Sequence, residues 1–281
     1  MSLLRDFEKI DKMVNRINRG AERGITENYA ELYRQLRNKL SAVFSKYADS
    51  RGNLTIDEMA KYNRLDSLNK SVSKIIQKSY VSTAREIRGG VRDVARSTYD
   101  ETIAAVSDAA GRQITGKLQR ETITESLQDP RSGMTLNRRL SVRRNDIIQR
   151  IEQEVTRGLA RGDNFRNISR IVKQELEQDA AKAIRIVRTE GHRVQEQSKL
   201  NALDHAKAQG VRMMKRWVSS QDERVRASHE HMHGQTVPYE SNFVNKFTGG
   251  EGPAPGMMGP AEDDINCRCT FVVEIITGKA A

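Results

Sequence analysis

The two cysteines of this 281-residue chain, Cys267 and Cys269, stand one residue apart near its end, and three of its five histidines, His229, His231 and His233, crowd one short stretch upstream. Thiolate sulfur and imidazole nitrogen are the donors that hold zinc. In extended backbone Cys267 and Cys269 project to the same side with Cβ atoms roughly 7 Å apart, too far for an unstrained disulfide but suited to converging on an ion. With His229, and either His233 or Asp222, they would complete a four-coordinate site, so zinc is the cofactor this pattern points to. The alternative is a purely structural hydrogen-bonded cluster. Two cysteines one residue apart cannot staple a chain of this length, which excludes a disulfide scaffold and fits a reducing compartment.

Other chemistry has little support. No glycine-rich phosphate loop with a lysine, no serine elbow and no HExxH motif occurs, so no catalytic residue is assigned and the chain is expected not to be an enzyme. The competing expectation is a metal-dependent nuclease in which Asp222, His229, His231 and His233 activate water beside a phosphate. Further residues stand around the cluster: Arg188-Thr-Glu190 upstream, the only tryptophan at Trp217, then Arg226, Gly234 and Asn266. Arg188 and Glu190 lie two apart on a helix and do not face each other, so each needs another partner.

The elements that must position these residues follow from punctuation and periodicity. Only Pro130 precedes residue 237, so long helices are permitted through most of the chain and forbidden near its end. Apolar residues recur at helical spacing in Leu32, Leu36, Leu40, Val43 and Phe44, in Ile148, Ile151, Val155 and Leu159, and in Phe165, Ile168, Val172 and Leu176. Gly20 and Gly24 interrupt the first helical stretch, residues 49–53 form a turn, and Thr55-Ile-Asp-Glu58 is a capping box. Residues 128–133 form a second loop and 162–164 a third, with Asn164 as an N-cap. Helix is expected from about 179 to 208, closed by Gly210. A short mixed segment, 213–218, follows, then polar turns, a glycine-proline loop over 249–260, and a β-branched strand over 270–276. Aligning Gly52 with an EF-hand loop puts Tyr47 and Arg51 at ligand positions, which rejects calcium there. The fold class is thus mostly α, an elongated helical region over 1–185 followed by a small α+β domain over 186–281.

Charge divides the chain in the same place. Residues 186–281 hold 12 basic and 12 acidic residues, so the first 185, with 36 against 25, carry the whole formal charge of +11. Ten arginines face four acids between Arg131 and Arg170. Clustered guanidinium groups suit phosphate without sequence preference, which makes Arg138, Arg139, Arg143 and Arg144 the expected contacts to double-stranded DNA, against the alternative of a solvated helix face. Aromatics are only 5% of residues and apolar residues 37%, a thin supply for one thick core. No apolar run reaches the roughly 20 residues of a membrane span, and Asp6 and Glu8 break any leader, so a soluble protein made without export is expected.

These motifs together resemble a known family. Arg188-Thr-Glu190, Trp217, Asp222-x-x-x-Arg226-x-x-His229-x-x-x-x-Gly234, a Pro/Gly loop and terminal Asn266-Cys-Arg-Cys269 look like the head morphogenesis domain of phage Mu F-like minor head proteins, over about the last 95 residues. The resemblance implies a minor capsid protein of a tailed bacteriophage, inside the procapsid near the portal, which acts in head morphogenesis and in DNA packaging or ejection. It implies the portal protein as partner, with major capsid or scaffolding protein beside it, and residence in the virion after assembly in the host cytoplasm. It also implies metal ligation by His229, Cys267 and Cys269; His231 and His233 are additional to the family pattern.

Overall fold

A computed structural model describes residues 3–119, 123–124 and 134–276. Pro130, Arg131 and the loop expected over 128–133 lie outside these residues. The helices are α1 (Leu3–Tyr47), the one-turn α2 (Ile56–Ala60), α3 (Arg64–Ala110), α4 (Leu136–Arg161) and α5 (Phe165–Ala208), followed by a small region of short strands and turns. No helix among the described residues is long and apolar enough to cross a membrane.

The stops are mostly those the sequence marks. Thr55 accepts the Glu58 backbone N–H at 3.2 Å and caps α2. Asn164 Oδ1 accepts the Asn167 N–H at 3.0 Å and starts α5, and Gly210, at φ 84, ends the turn that closes it. Gly20 and Gly24, in contrast, do not interrupt α1. A mid-helix glycine costs about 1 kcal/mol, less than the apolar stripe on either side returns by burial. At Gly24 a Cβ would lie 2.7 Å from the Glu86 carboxylate, so the missing side chain makes room for α3. The apolar pattern of 165–176 and the helix expected from about 179 are also one helix, α5.

The chain forms two compact units, each discontinuous in sequence: Met1–Ala21 with Arg88–Leu136 and Arg185–Ala281, and Glu22–Ile87 with Asn137–Ile184. Residues 1–21 and 88–136, expected in the N-terminal region, thus share a unit with the C-terminal residues. The second unit is a helical bundle whose core includes Leu32, Leu36, Leu40, Ile151, Val155, Val172 and Leu176 of the periodic sets read from the sequence, joined by Ile76 of α3. Phe44 and Phe165 meet edge to face at 5.8 Å within it.

The first unit holds the sheet. β1 (Met213–Val218) is its central strand, antiparallel to β2 (Thr236–Pro238) on one side and to β5 (Thr270–Ile275) on the other, with Trp217 opposite Phe271 and Lys215 opposite Val273. A hairpin, β3 (Phe243–Val244) with β4 (Glu251–Gly252), and two one-turn helices, α6 (Ala227–Glu230) and α7 (Ala261–Asp264), complete it. Its core joins Phe7, Ile10 and Val14 of α1 to Leu200 and Leu203 of α5, Trp217 of β1 and Phe271 of β5. The segment 213–218 is thus a strand with Met213, Lys215 and Trp217 on the buried face.

Lys215 is 1% exposed and donates to the Pro253 carbonyl at 2.7 Å. Burial outweighs the pull of Asp204 and Glu240 and lowers its pKa from 10.5 to about 8. Between those values the unfolded chain binds more protons than the folded one, so stability rises as pH climbs from about 8 to 10.5. The gain approaches roughly 3 kcal/mol as an upper bound. Urea unfolding across that range checks it: the wild type is expected to gain stability relative to Lys215→Met, and parallel profiles would refute the assignment.

Candidate metal centre

α6 carries His229 into the first unit, where the ring is 1% exposed. Its Nδ1 faces both thiols, 3.6 Å from Cys267 Sγ and 3.4 Å from Cys269 Sγ. One ligand atom from each of the three residues lies within 4.8 Å of the others, the geometry of a trio able to close on one ion. Cys267 and Cys269 are 4% and 1% exposed. Hydrogen bonding to Cys267 holds the Cys269 pKa down at about 4 against burial, with His229 assisting, while the contact with Cys269 and burial raise Cys267. Burial disfavours the charged His229 ring, but Cys269 and Asp263 outweigh it and the pKa ends raised. Backbone N–H groups reach both sulfurs, Ser220 to Cys269 and Cys269 to Cys267.

Helix α5 supplies the floor for this turn. His192 Nε2 lies 2.6 Å from the Cys269 carbonyl, and Thr189 Oγ1 accepts the Asn266 backbone N–H at 3.5 Å. Asn266 itself sits at φ 55, a left-handed conformation that asparagine tolerates, and so turns the chain from α7 into Cys267. Behind His229, Asp263 accepts from its Nε2 at 3.2 Å, from Asn245 at 3.0 Å and from Thr248 at 2.6 Å. Trp217, fully buried, meets the His229 ring edge to face at 5.7 Å. A cleft of about 550 Å³ shares Asp263 with this network and is lined also by Arg226, Ser228, Thr248, Glu262 and Asn266. The Arg226 guanidinium donates to the Ile265 carbonyl.

The remaining residues singled out by the sequence separate from the trio. Asp222 forms a two-point ion pair with Arg268, which lowers its pKa to about 2. His233 Nδ1 lies 3.2 Å from the Ser219 backbone nitrogen, and exposed His231 stacks on Phe247 at 4.7 Å. Neither Asp222 nor His233 is therefore a fourth ligand, and the water-activating group of Asp222, His229, His231 and His233 does not assemble. Gly234, at φ 82, turns the chain back toward β1, its N–H donating to the Trp217 carbonyl at 2.9 Å. Glu190 is buried and pairs with Arg193 at 2.7 Å, one turn on, whereas Arg188 is exposed. Asp263, Asn245, Thr248, His192 and Thr189 carry the second layer and were not assigned from sequence; the pair Asp263-Asp264 stood in plain view, but nothing local says which one turns inward.

In the second unit the arginines expected to meet DNA have unlike surroundings. Arg143 forms an ion pair with Asp179, a carboxylate only 5% exposed that also accepts from Tyr29 at 2.6 Å and from Tyr80. Arg143 is therefore committed to a buried network and is withdrawn from the DNA-contact set. Arg144 is half-buried and reaches Asn145 at 3.2 Å, and Arg138 is exposed while Arg139 is half-buried. Arg150, Arg157 and Arg161 pair with Glu175, Glu154 and Asp163.

Residues 149–272 match the model of a family described as Phage Mu protein F like protein. The motifs from Arg188 to Cys269 lie within this matched segment, and similarity to known proteins extends beyond it. Over 269 residues the chain is 28% identical to minor head protein GP7 of Bacillus phage SPP1, covering 95% of this chain and 86% of that protein. It is also 25% identical over 248 residues to NAD(+)–arginine ADP-ribosyltransferase EFV of Enterococcus faecalis, covering 88% of this chain but 50% of that protein. The expectation that the chain is not an enzyme is corrected by this second relative, whose name is that of an enzyme. No solved structure matches.

Replacing Arg143 by Ala leaves Asp179 with its tyrosine partners but no cation. The expected loss is about 3 kcal/mol, the lower end for unpairing a buried charge. Chemical denaturation of the full chain measures it, and a loss under about 1 kcal/mol would mean that the network stabilises the fold no more than a surface pair does.

Proposed function

We propose that this protein is a minor head protein of a tailed bacteriophage, acting in head morphogenesis from a position beside the portal inside the procapsid. The observation that carries the reading is the similarity to minor head protein GP7 along 95% of the chain. The Mu F-like segment over 149–272 supports it. The portal protein is the partner, with major capsid or scaffolding protein adjoining, and the protein passes from host cytoplasm into the virion. Double-stranded DNA is contacted without sequence preference during packaging or ejection. That part rests on charge, since the formal +11 arises entirely before residue 186.

Zinc belongs to the reading. The donor set fits it: two sulfurs and one imidazole, each buried, with backbone N–H groups on both sulfurs and a carboxylate behind the ring. His229, Cys267 and Cys269 would hold the ion. No fourth His, Cys, Asp or Glu of the described residues joins the trio. Bound zinc supplies a cross-link and a Lewis acid; the chain's own part is to keep three donors converged and dry.

A second reading rests on the Enterococcus faecalis relative alone, namely transfer of ADP-ribose from NAD(+) to arginine. Labelled NAD(+) incubated with the full chain and arginine-bearing acceptors tests it, incorporation supporting it and none removing it.

For the first reading, purified full chain is expected to retain the portal protein from a solution of purified components. No retention, together with absence from procapsids, would sink the portal assignment. Affinity for duplex DNA is expected to fall steeply with salt. Replacing Arg138, Arg139 and Arg144 by Ala should cut the log–log slope by about 0.9 for each phosphate no longer neutralised. An unchanged slope removes those arginines from the interface.

A further inference from the structure

We infer that Asp263 is the positioning residue that makes His229 a metal ligand, and that the β3–β4 hairpin, which supplies no ligand, sets the affinity of the site through it. The inference rests on the zinc reading above. Asp263 has no exposed surface, and its two oxygens take three donors: Asn245 Nδ2 and His229 Nε2 on Oδ1, Thr248 Oγ1 on Oδ2. A carboxylate oxygen facing donors offers lone pairs only, so the hydrogen of the neutral His229 ring belongs on Nε2. That places the ring's lone pair on Nδ1, the atom facing Cys267 and Cys269. Without Asp263 nothing in the described surroundings selects that tautomer, and the alternative would turn an N–H toward the sulfurs and bar a metal.

The carboxylate is in turn held by the hairpin turn. Asn245 is fully buried and its Oδ1 accepts the Phe247 N–H at 3.1 Å, while Thr248 Oγ1 accepts the Gly250 N–H at 3.1 Å as it donates to Asp263. Gly250 must lack a side chain, because a Cβ there would collide with Asp263 Oδ2. The other histidines of the stretch lack this arrangement. His231 stacks on Phe247, and His233 meets Ser219 and Gln221. What separates His229 from its neighbours is therefore a carboxylate fixed at the far side of its ring.

The experiment is zinc affinity of the purified full chain by chelator competition, with the cobalt(II) absorption spectrum as a second readout. The wild type is expected to bind one metal per chain with sulfur-to-cobalt charge-transfer bands. Asp263→Asn, which keeps the shape but turns a donor toward Nε2 or loses charge, is expected to weaken zinc binding about 10- to 100-fold. Thr248→Val, which removes one bond to Asp263 and leaves every ligand in place, should weaken it roughly threefold or more, and decides the matter if Asp263→Asn fails to fold. Wild-type affinity and spectrum in a folded Asp263→Asn, or in Thr248→Val when only that variant folds, overturns the positioning role and leaves the zinc reading standing. A wild type that takes up neither zinc nor cobalt overturns both.

Discussion

A lysine ammonium with no exposed surface must find a full set of partners inside the protein, and Lys199 finds them where α5 meets β5. Its Nζ contacts Glu196 at 3.1 Å, Thr270 Oγ1 at 2.6 Å and the Phe271 carbonyl at 3.1 Å, between the rings of Phe7 and Phe271. Thr270 also donates to Glu196 at 3.0 Å. Shifting the strand would take Thr270 and the Phe271 carbonyl from the buried Lys199–Glu196 pair and leave its polar groups short of partners, which favours this register on the helix. Cys269 directly precedes Thr270, and one turn earlier on α5 His192 holds its carbonyl. The position of both thiols thus follows from an ion pair that takes no part in their chemistry.

The same logic runs outward from the trio. Each polar side chain near His229 is fixed by another: Asp263 by Asn245 and Thr248, Thr248 by Gly250, and the ring itself by Trp217 packed between it and Phe243 at 5.3 Å. Asp263, Asn245 and Thr248 are each hydrogen-bonded, whereas Trp217, whose buried Nε1 has no partner among the described residues, holds the ring by packing alone. Asp264 turns the other way and caps the preceding loop, accepting the N–H groups of Met258 and Gly259 at 2.8 and 3.0 Å. Two adjacent aspartates therefore serve opposite sides of one turn of helix.

What could be read from sequence is what depends on neighbours in the chain. The Thr55 N-cap, the Asn164 cap, the Gly210 stop and the β-branched strand at 270–275 are local chemistry, and so is the helical periodicity of the second unit's core. The trio of His229, Cys267 and Cys269 was legible because its residue types are rare and its Cys-x-Cys spacing short. The strand at 213–218 was hidden by Lys215, whose inward position is tolerable only because a carbonyl 38 residues away accepts from it. Arg143 looked like one more surface cation because Asp179, which claims it, is 36 residues distant. Asp263 was hidden for the same reason, its partners lying 15 to 34 residues off.

The sheet and turns around the trio are built from strands of two to six residues and two one-turn helices. Two cysteines one residue apart cannot link such short elements as a disulfide. An ion held by His229, Cys267 and Cys269 would join α6 to the turn before β5, and through Asp263 would also bind α7 and the hairpin. Four short elements, none stable alone, would then share one fixed point. Because ligand binding to the folded state adds its free energy to folding, the ion would offset part of the cost of ordering those turns, beside the apolar area they bury. The two rings of polar contacts around His229 are then the means by which one cross-link would serve several segments.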